Sequence, residues 1–308
     1  MGIWEPCQAN RRQSDKFAII GKLGLYGYKG KKMKVGLSLG GGGALGYAHI
    51  GAIRAFEEAG IPIDMINGSS MGAVVGGTYA LYRDVDKMTE LVRETVEDVD
   101  FDSFNIFKNR EHHSFLRSWL STALCDISML RSYFLSHKED IKALRLIFGE
   151  SSFSDTQIPF SCVAVDLFGG DIITIDEGDL VEGILPSMTL PGIFPPVERE
   201  DRLLVDGSVL ADVPVHQLRA RGADFVIAIR LAPKVDWWYQ TGSDVLNLVE
   251  MMKESLLARW EMEEADFGIA INLPDVKLLD FGSYEQAIDR GYEVAADVCD
   301  ELKRRLAG

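Results

Sequence analysis

Ser70 lies in Gly68-Ser69-Ser70-Met71-Gly72, after the apolar pair Met65-Ile66 and before the small-residue run Ala73-Val74-Val75-Gly76-Gly77. A serine between two glycines at a strand-to-helix junction is what a nucleophile elbow requires. The glycines permit a steep turn that lifts Oγ clear of the backbone and aims it at the N-terminus of the next helix. Attack by that hydroxyl on an acyl carbonyl needs a base to take its proton and preorganised donors for the oxyanion that forms. Gly41, Gly42 and Gly43 offer such donors within Leu39-Gly40-Gly41-Gly42-Gly43-Ala44-Leu45-Gly46, a second glycine loop between a strand signal and a helix signal. Without Cβ atoms their amides can approach a substrate oxygen closely, and the following helix adds its positive end.

The base must come from elsewhere. Asp206 closes the strand signal Arg202-Leu203-Leu204-Val205 and precedes Gly207, so its carboxylate would project at the end of the sheet, where α/β active sites gather. None of His49, His112, His113, His137 or His216 is as well placed. The order Ser70, Asp206, His216 is that of an α/β-hydrolase triad. The short spacing from Asp206, however, suits an ordinary helix-start role for His216.

Blander readings compete at each motif. Gly41-x-Gly43-x-x-Gly46 matches a dinucleotide-binding loop, with Asp64 as the acidic residue such a site expects about 20 positions on. Ser70 could cap a helix and Asp206 could be a turn aspartate. The alternative to an acyl hydrolase is therefore a catalytically silent or nucleotide-binding regulatory protein. That alternative leaves the elbow and Asp206 without a common purpose.

The elements that must hold these residues alternate along the chain. Val35-Gly36-Leu37-Ser38-Leu39 reads as a strand, residues 44–59 as a helix stopped by Gly60, and the elbow helix runs to about Tyr82. Residues 83–150 are helical in pattern and rich in aromatics, among them Phe101, Phe104, Phe107, Phe115, Trp119, Tyr133 and Phe134. They pack on the core sheet or cap an apolar substrate tunnel. Strands follow at 160–165, 171–175, 202–205, 225–229 and 269–271, with helices near 180–188, 214–222, 243–266 and 283–306. This alternation predicts an α/β fold with a mainly parallel central sheet flanked by helices. Residues 1–32 read as a loose N-terminal arm and 33–308 as the catalytic domain. Trp237-Trp238-Tyr239 could anchor at a membrane interface or pack internally, and the acidic runs 94–102 and 261–266 read as solvated helix faces.

With 308 residues and 47% hydrophobic content, the chain can bury a large core. A net charge of −15 disfavours nucleic acid and stable docking on anionic lipid by charge, and leaves transient contact with a membrane surface through an apolar patch. Cys7, Cys125, Cys162 and Cys299 show no metal or disulfide spacing, so no metal site and no cofactor is expected. No apolar run reaches the roughly 18 residues of a membrane span, and no signal-peptide core is evident. The expected location is the cytoplasm, peripheral to membranes at most.

The chain from Lys34 to about Leu306 resembles the patatin-like phospholipases, and among them the bacterial patatin-like proteins. The resemblance rests on three ordered blocks: Gly41-Gly42-Gly43-Ala44-Leu45-Gly46, Gly68-Ser69-Ser70-Met71-Gly72 and Asp206-Gly207-Ser208. Leu190-Pro191-Gly192-Ile193-Phe194-Pro195-Pro196 and Asp212-Val213-Pro214-Val215 fit the connecting pattern. It implies a Ser-Asp dyad without histidine, acting on fatty acyl esters of phospholipids or lysophospholipids. Ser70 would attack, Asp206 would take the proton and then activate water, and the amides of Gly41 to Gly43 would hold the oxyanion. Leu45 stands where many relatives carry Arg or Lys, and Ser208 where they often carry Ala or Gly. On that basis Leu45→Arg is expected to alter hydrolysis of an anionic lysophospholipid more than that of an uncharged ester.

Overall fold

The computed structural model describes residues 33–99, 136–233 and 242–307. The N-terminal arm, Cys7, Cys125, His112, His113, the aromatics from Phe101 to Phe134 and the Trp237-Trp238-Tyr239 cluster lie outside them. In chain order the elements are β1 (Val35–Leu39), α1 (Ala48–Ala59), β2 (Met65–Gly68), α2 (Met71–Tyr82), α3 (Val85–Asp98), α4 (Lys138–Phe148), β3 (Phe160–Asp166), β4 (Asp171–Ile175) and α5 (Leu180–Ser187). Then come β5 (Val197–Arg199), β6 (Arg202–Asp206), α6 (Ser208–Ala211), α7 (Val215–Ala220), β7 (Phe225–Pro233), α8 (Gly242–Glu264), β8 (Phe267–Leu273) and α9 (Tyr284–Leu306).

Strands β3, β2, β1, β7 and β8 run parallel in that spatial order, whereas β4 and β6 pair antiparallel with β3, and β5 with β6. The sheet is α/β and mainly parallel, as the alternation of elements predicted. Its inner strands are buried on both faces, every residue of β1, β2 and β3 included, the polar Ser38, Asn67 and Ser161 among them, as a parallel sheet covered by helices requires. Helix α1 ends where Gly60 adopts a left-handed φ of 69° and its amide bonds back to Glu57 and Phe56.

Two local expectations are corrected, and two short elements are added. The helix expected over 44–59 begins as a 3-10 turn, Gly43–Tyr47, and becomes α-helical only at Ala48. Ala44 donates its amide to Leu278 O instead of to a helical carbonyl. Strand β5 and helix α6 add to the elements legible in the sequence, because three and four residues are too few to show a period. The run 261–266 is not wholly solvated: Glu261 is buried and its Oε2 accepts the amides of Val215 and His216 at the start of α7. Glu94, Glu97 and Asp98 on α3 do face solvent.

One detail of register fixes the site. Cys162 of β3 pairs with Gly68 on one edge and Ile175 on the other, and Ala164 pairs with Asp206 and Ile173. Strands β2 and β6 therefore share one edge of β3, running toward each other. Their C-terminal ends meet opposite Val163, which brings the chain just after Gly68 against Asp206-Gly207.

Candidate active site

Ser70 sits at the tip of the β2–α2 turn with φ 51° and ψ −127°, a conformation that L residues rarely adopt. Holding a residue there costs on the order of 1–3 kcal/mol. The surroundings enforce it. Gly72 passes so close to the end of β1 that a Cβ would lie 2.3 Å from Leu39 O, and one on Gly68 would lie 2.3 Å from Gly72 O. The Ser70 amide donates to Ser187 Oγ at 3.0 Å, so the C-terminal residue of α5 helps hold the turn. Sequence reasoning missed Ser187, whose role comes from a contact 117 positions away.

Asp206 is wholly buried. Its Oδ1 accepts the Ser208 amide at 2.8 Å, while Oδ2 has no hydrogen-bond partner of good geometry among the described residues. Burial pushes its pKa up to about 6, opposed by hydrogen bonding from Ser208 and from the Ser70 side chain, whose hydroxyl is near enough to act on the carboxylate. Gly207 lies against Val163 O and Ser69 Oγ, too close for any Cβ, and Gly46 is packed in the same way against Met71.

The glycine loop leaves β1 beside this pair. A Cβ on Gly41 would fall 3.2 Å from Ser70 Cβ and 2.9 Å from Asp212 Oδ1, so only glycine allows the loop to pass. The Gly41 amide is not open to a ligand, because it donates to Asp212 Oδ1 at 3.1 Å and to Asp212 O at 3.2 Å. Expecting all three glycine amides to be free donors is thus corrected for Gly41. Gly42 and Gly43 turn with φ 144° and 53°, and among the described residues neither amide has a hydrogen-bond partner.

Charged groups stand behind the loop. Burial raises Asp212 to about 6, with Arg230 and the Gly41 amide pulling the other way. Burial also raises Glu254 to about 7, aided by Asp212 and Asp206 and opposed by Arg230. Arg230 donates from Nη2 to Ser255 Oγ at 2.8 Å. His49 is buried on α1, touches Gly40 O through Nε2 at 2.8 Å and is held near a pKa of about 4 by burial, against that bond. His216 is exposed on α7.

From Ser70 an apolar pocket runs between α2, α3 and α4. Val74, Val92, Leu144, Ile147, Met188 and Phe194 are among its walls. Thr78 and Thr95 also line it, but their hydroxyls donate to Val74 O and Leu91 O one turn back on their helices. The wall is therefore mainly hydrocarbon. Within residues 83–150, helices α3 and α4 pack against α1, α2 and α5 and line this pocket, while 100–135 lie outside the described residues.

The nucleotide reading fails on position. Asp64 Oδ2 accepts the Val35 amide at the N-terminal end of β1, the opposite end of the sheet from the glycine loop. Leu45 is wholly buried in the main core. An arginine there would lose hydration before meeting a substrate, so Leu45→Arg reads out folding and not headgroup charge.

Residues 37–219 match the family model described as patatin-like phospholipase. The chain belongs to that family. An uncharacterised NTE family protein of Mycobacterium tuberculosis is 35% identical over 198 residues, covering 64% of this chain and 49% of that protein. The "Neuropathy target esterase sws" of Drosophila melanogaster is 29% identical over 287 residues, 84% of this chain and 19% of its own. "Lysophospholipase NTE1" of Mycosarcoma maydis is 29% identical over 296 residues, 87% and 15% respectively. The chain thus spans about half, or far less, of the length of these relatives. Among solved structures, VipD from Legionella pneumophila aligns with a TM-score of 0.50 at 15% identity, over 87% of this chain and 67% of that one, a likeness of fold. Among the described residues, no helix of this patatin-like protein is long and apolar enough to cross a membrane.

Proposed function

We propose that the protein hydrolyses fatty acyl esters of phospholipids or lysophospholipids through a Ser70-Asp206 dyad. The observation that carries this reading is a buried carboxylate with an unpartnered oxygen, Asp206 Oδ2, beside a strained serine that opens on an apolar pocket. Ser70 Oγ attacks the acyl carbonyl carbon as Asp206 accepts its proton. The amides of Gly42 and Gly43 take the oxyanion. Collapse of the tetrahedral intermediate expels the alcohol, which leaves with the proton from Asp206. Water then attacks the acyl-enzyme, again giving its proton to Asp206, and the fatty acid departs as Ser70 is restored. An aspartate at its ordinary pKa is a weak base, and burial raises Asp206 toward the range where proton acceptance from serine is easier.

The acyl chain suits the pocket because its walls offer hydrocarbon and few free hydrogen-bonding groups. Relatives named as esterase and lysophospholipase support the same reaction class. Residues 33–308 would constitute the catalytic domain, with 1–32 preceding it.

A fluorophosphonate probe tests the nucleophile. The expected result is stoichiometric modification at Ser70, loss of labelling in Ser70→Ala, and turnover of p-nitrophenyl acyl esters and of a lysophospholipid by the unmodified protein only. Folded protein that neither labels nor turns over would end this reading and revive a silent regulatory role.

A further inference from the structure

A peptide unit has two polar handles, and in a run of glycines no side chain biases which way they point. Between Gly40 and Gly41 both handles are held from outside the loop. Gly40 O accepts from His49 Nε2 at 2.8 Å, and the Gly41 amide donates to Asp212, to Oδ1 at 3.1 Å and to the carbonyl at 3.2 Å. The Gly40 amide is fixed in turn to Ile229 O at 2.9 Å. His49 is 0% and Asp212 5% exposed, so water does not compete for either bond. Because a carbonyl only accepts, His49 must carry its proton on Nε2, which leaves Nδ1 as a bare acceptor without a partner. The imidazole is thereby committed to the loop. Arg230 lies near enough to Asp212 to offset its charge.

We infer that His49 and Asp212 clamp the Gly40–Gly41 peptide from its two ends, so that the next two amides, those of Gly42 and Gly43, face the reacting centre before substrate arrives. Both are positioning residues that act through the loop, and the inference rests on Ser70 being an acyl-transfer nucleophile. A flip of the clamped peptide would break two buried hydrogen bonds at once, one of them to a carboxylate. Preorganised donors stabilise an oxyanion without reorganising during the reaction, and losing one such donor typically lowers kcat by about 100-fold or more. Loosening the loop should forfeit a part of that.

The test compares His49→Leu and Asp212→Ala with His49→Gln and Asp212→Asn, which keep a donor and an acceptor, using p-nitrophenyl butyrate and an alkyl trifluoromethyl ketone that forms a tetrahedral adduct. Each truncation is expected to lower kcat roughly 10- to 100-fold with KM within about twofold, and to weaken the ketone in parallel. The double variant should lose little more than the worse single one, because both residues hold one peptide. Gln and Asn should restore most of the loss. Folded truncations with unchanged kcat, or losses that multiply in the double variant, would overturn the clamp. Should the truncations fail to fold, 15N-glycine NMR of the wild-type protein decides. Adding the ketone should move the Gly42 and Gly43 amides while Gly41 keeps its shift and its slow exchange, and a Gly41 amide that moves or exchanges freely overturns the inference. Fluorophosphonate labelling of the wild type separates the two failures: no labelling removes the nucleophile reading, whereas labelling with kcat unchanged in the truncations removes the clamp alone.

Discussion

Asp206 combines burial with an open oxygen, and both properties have a measurable sign. Burial pushes its carboxylate from the ordinary 3.8 up to about 6, and only the ionised form accepts a proton. The ratio kcat/KM is therefore expected to rise with pH through about 6 and level off above it. Asp206→Asn should abolish turnover across that range, whereas His216→Ala should leave it within about twofold, since His216 faces solvent. The same shift predicts a stability effect. A carboxylate whose folded pKa is raised binds its proton more tightly when folded, so its contribution to stability is complete below about pH 3.8 and is lost as pH rises through about 6. Asp206→Asn removes that loss. Between pH 4 and 7 the difference in unfolding free energy should move in the variant's favour by up to about 3 kcal/mol, readable by denaturant titration at both pH values. Activity and stability thus change in opposite directions at one residue. If stability tracked activity, the burial argument would fail.

At the scale of elements, α3 and α4 form one side of the pocket that starts at Ser70. Ala143 on α4 is a small residue in that wall and is 9% exposed. Ala143→Phe should project a ring into the channel at an overpacking cost of about 1–3 kcal/mol. Hydrolysis of long-chain p-nitrophenyl esters is expected to fall at least about tenfold in kcat/KM, while the acetate and butyrate esters change by less than about twofold. A uniform loss across chain lengths would instead mean that the variant disturbs the reacting centre and that the pocket does not hold the chain. These helices were legible as periodic segments from sequence. That they line a channel opening at Ser70 was one of two open readings, because helical spacing shows that a face is buried and not what it is buried against.

For the whole molecule, the anchor of the glycine loop is the packing of α1 against α9. A Cβ on Gly51 would lie 1.9 Å from Ile288 O, and one on Gly291 would lie 1.9 Å from Ala48 O, so the two backbones touch through glycine on both sides. Helix α1 also carries His49. Gly291→Val is expected to force the helices apart, lowering the melting temperature by roughly 5–10 °C and kcat with it, although residue 291 is remote in sequence from every motif. A variant that melts like the wild type would show that the close approach carries no strain. Nothing in the local sequence around Gly291 marks it, because a glycine within a helical pattern is read as a weak point until its neighbour is known.

The sequence alone determined the α/β class, the mainly parallel sheet, most element positions and the two residues proposed as nucleophile and base. Those features are local: apolar runs, helical periods, and glycines spaced about a serine or following an aspartate. Only the tertiary structure decided how they combine. The meeting of β2 and β6 on one edge of β3 depends on register between segments far apart in the chain. The use of the Gly41 amide by Asp212, the turn of His49 toward Gly40 O, the support of Ser70 by Ser187 and the burial of Leu45 are contacts across 9 to 171 positions or into a shared core. Residue type names the groups a chain can offer. Which of them remain free for a substrate is settled by the neighbours that folding brings to each one.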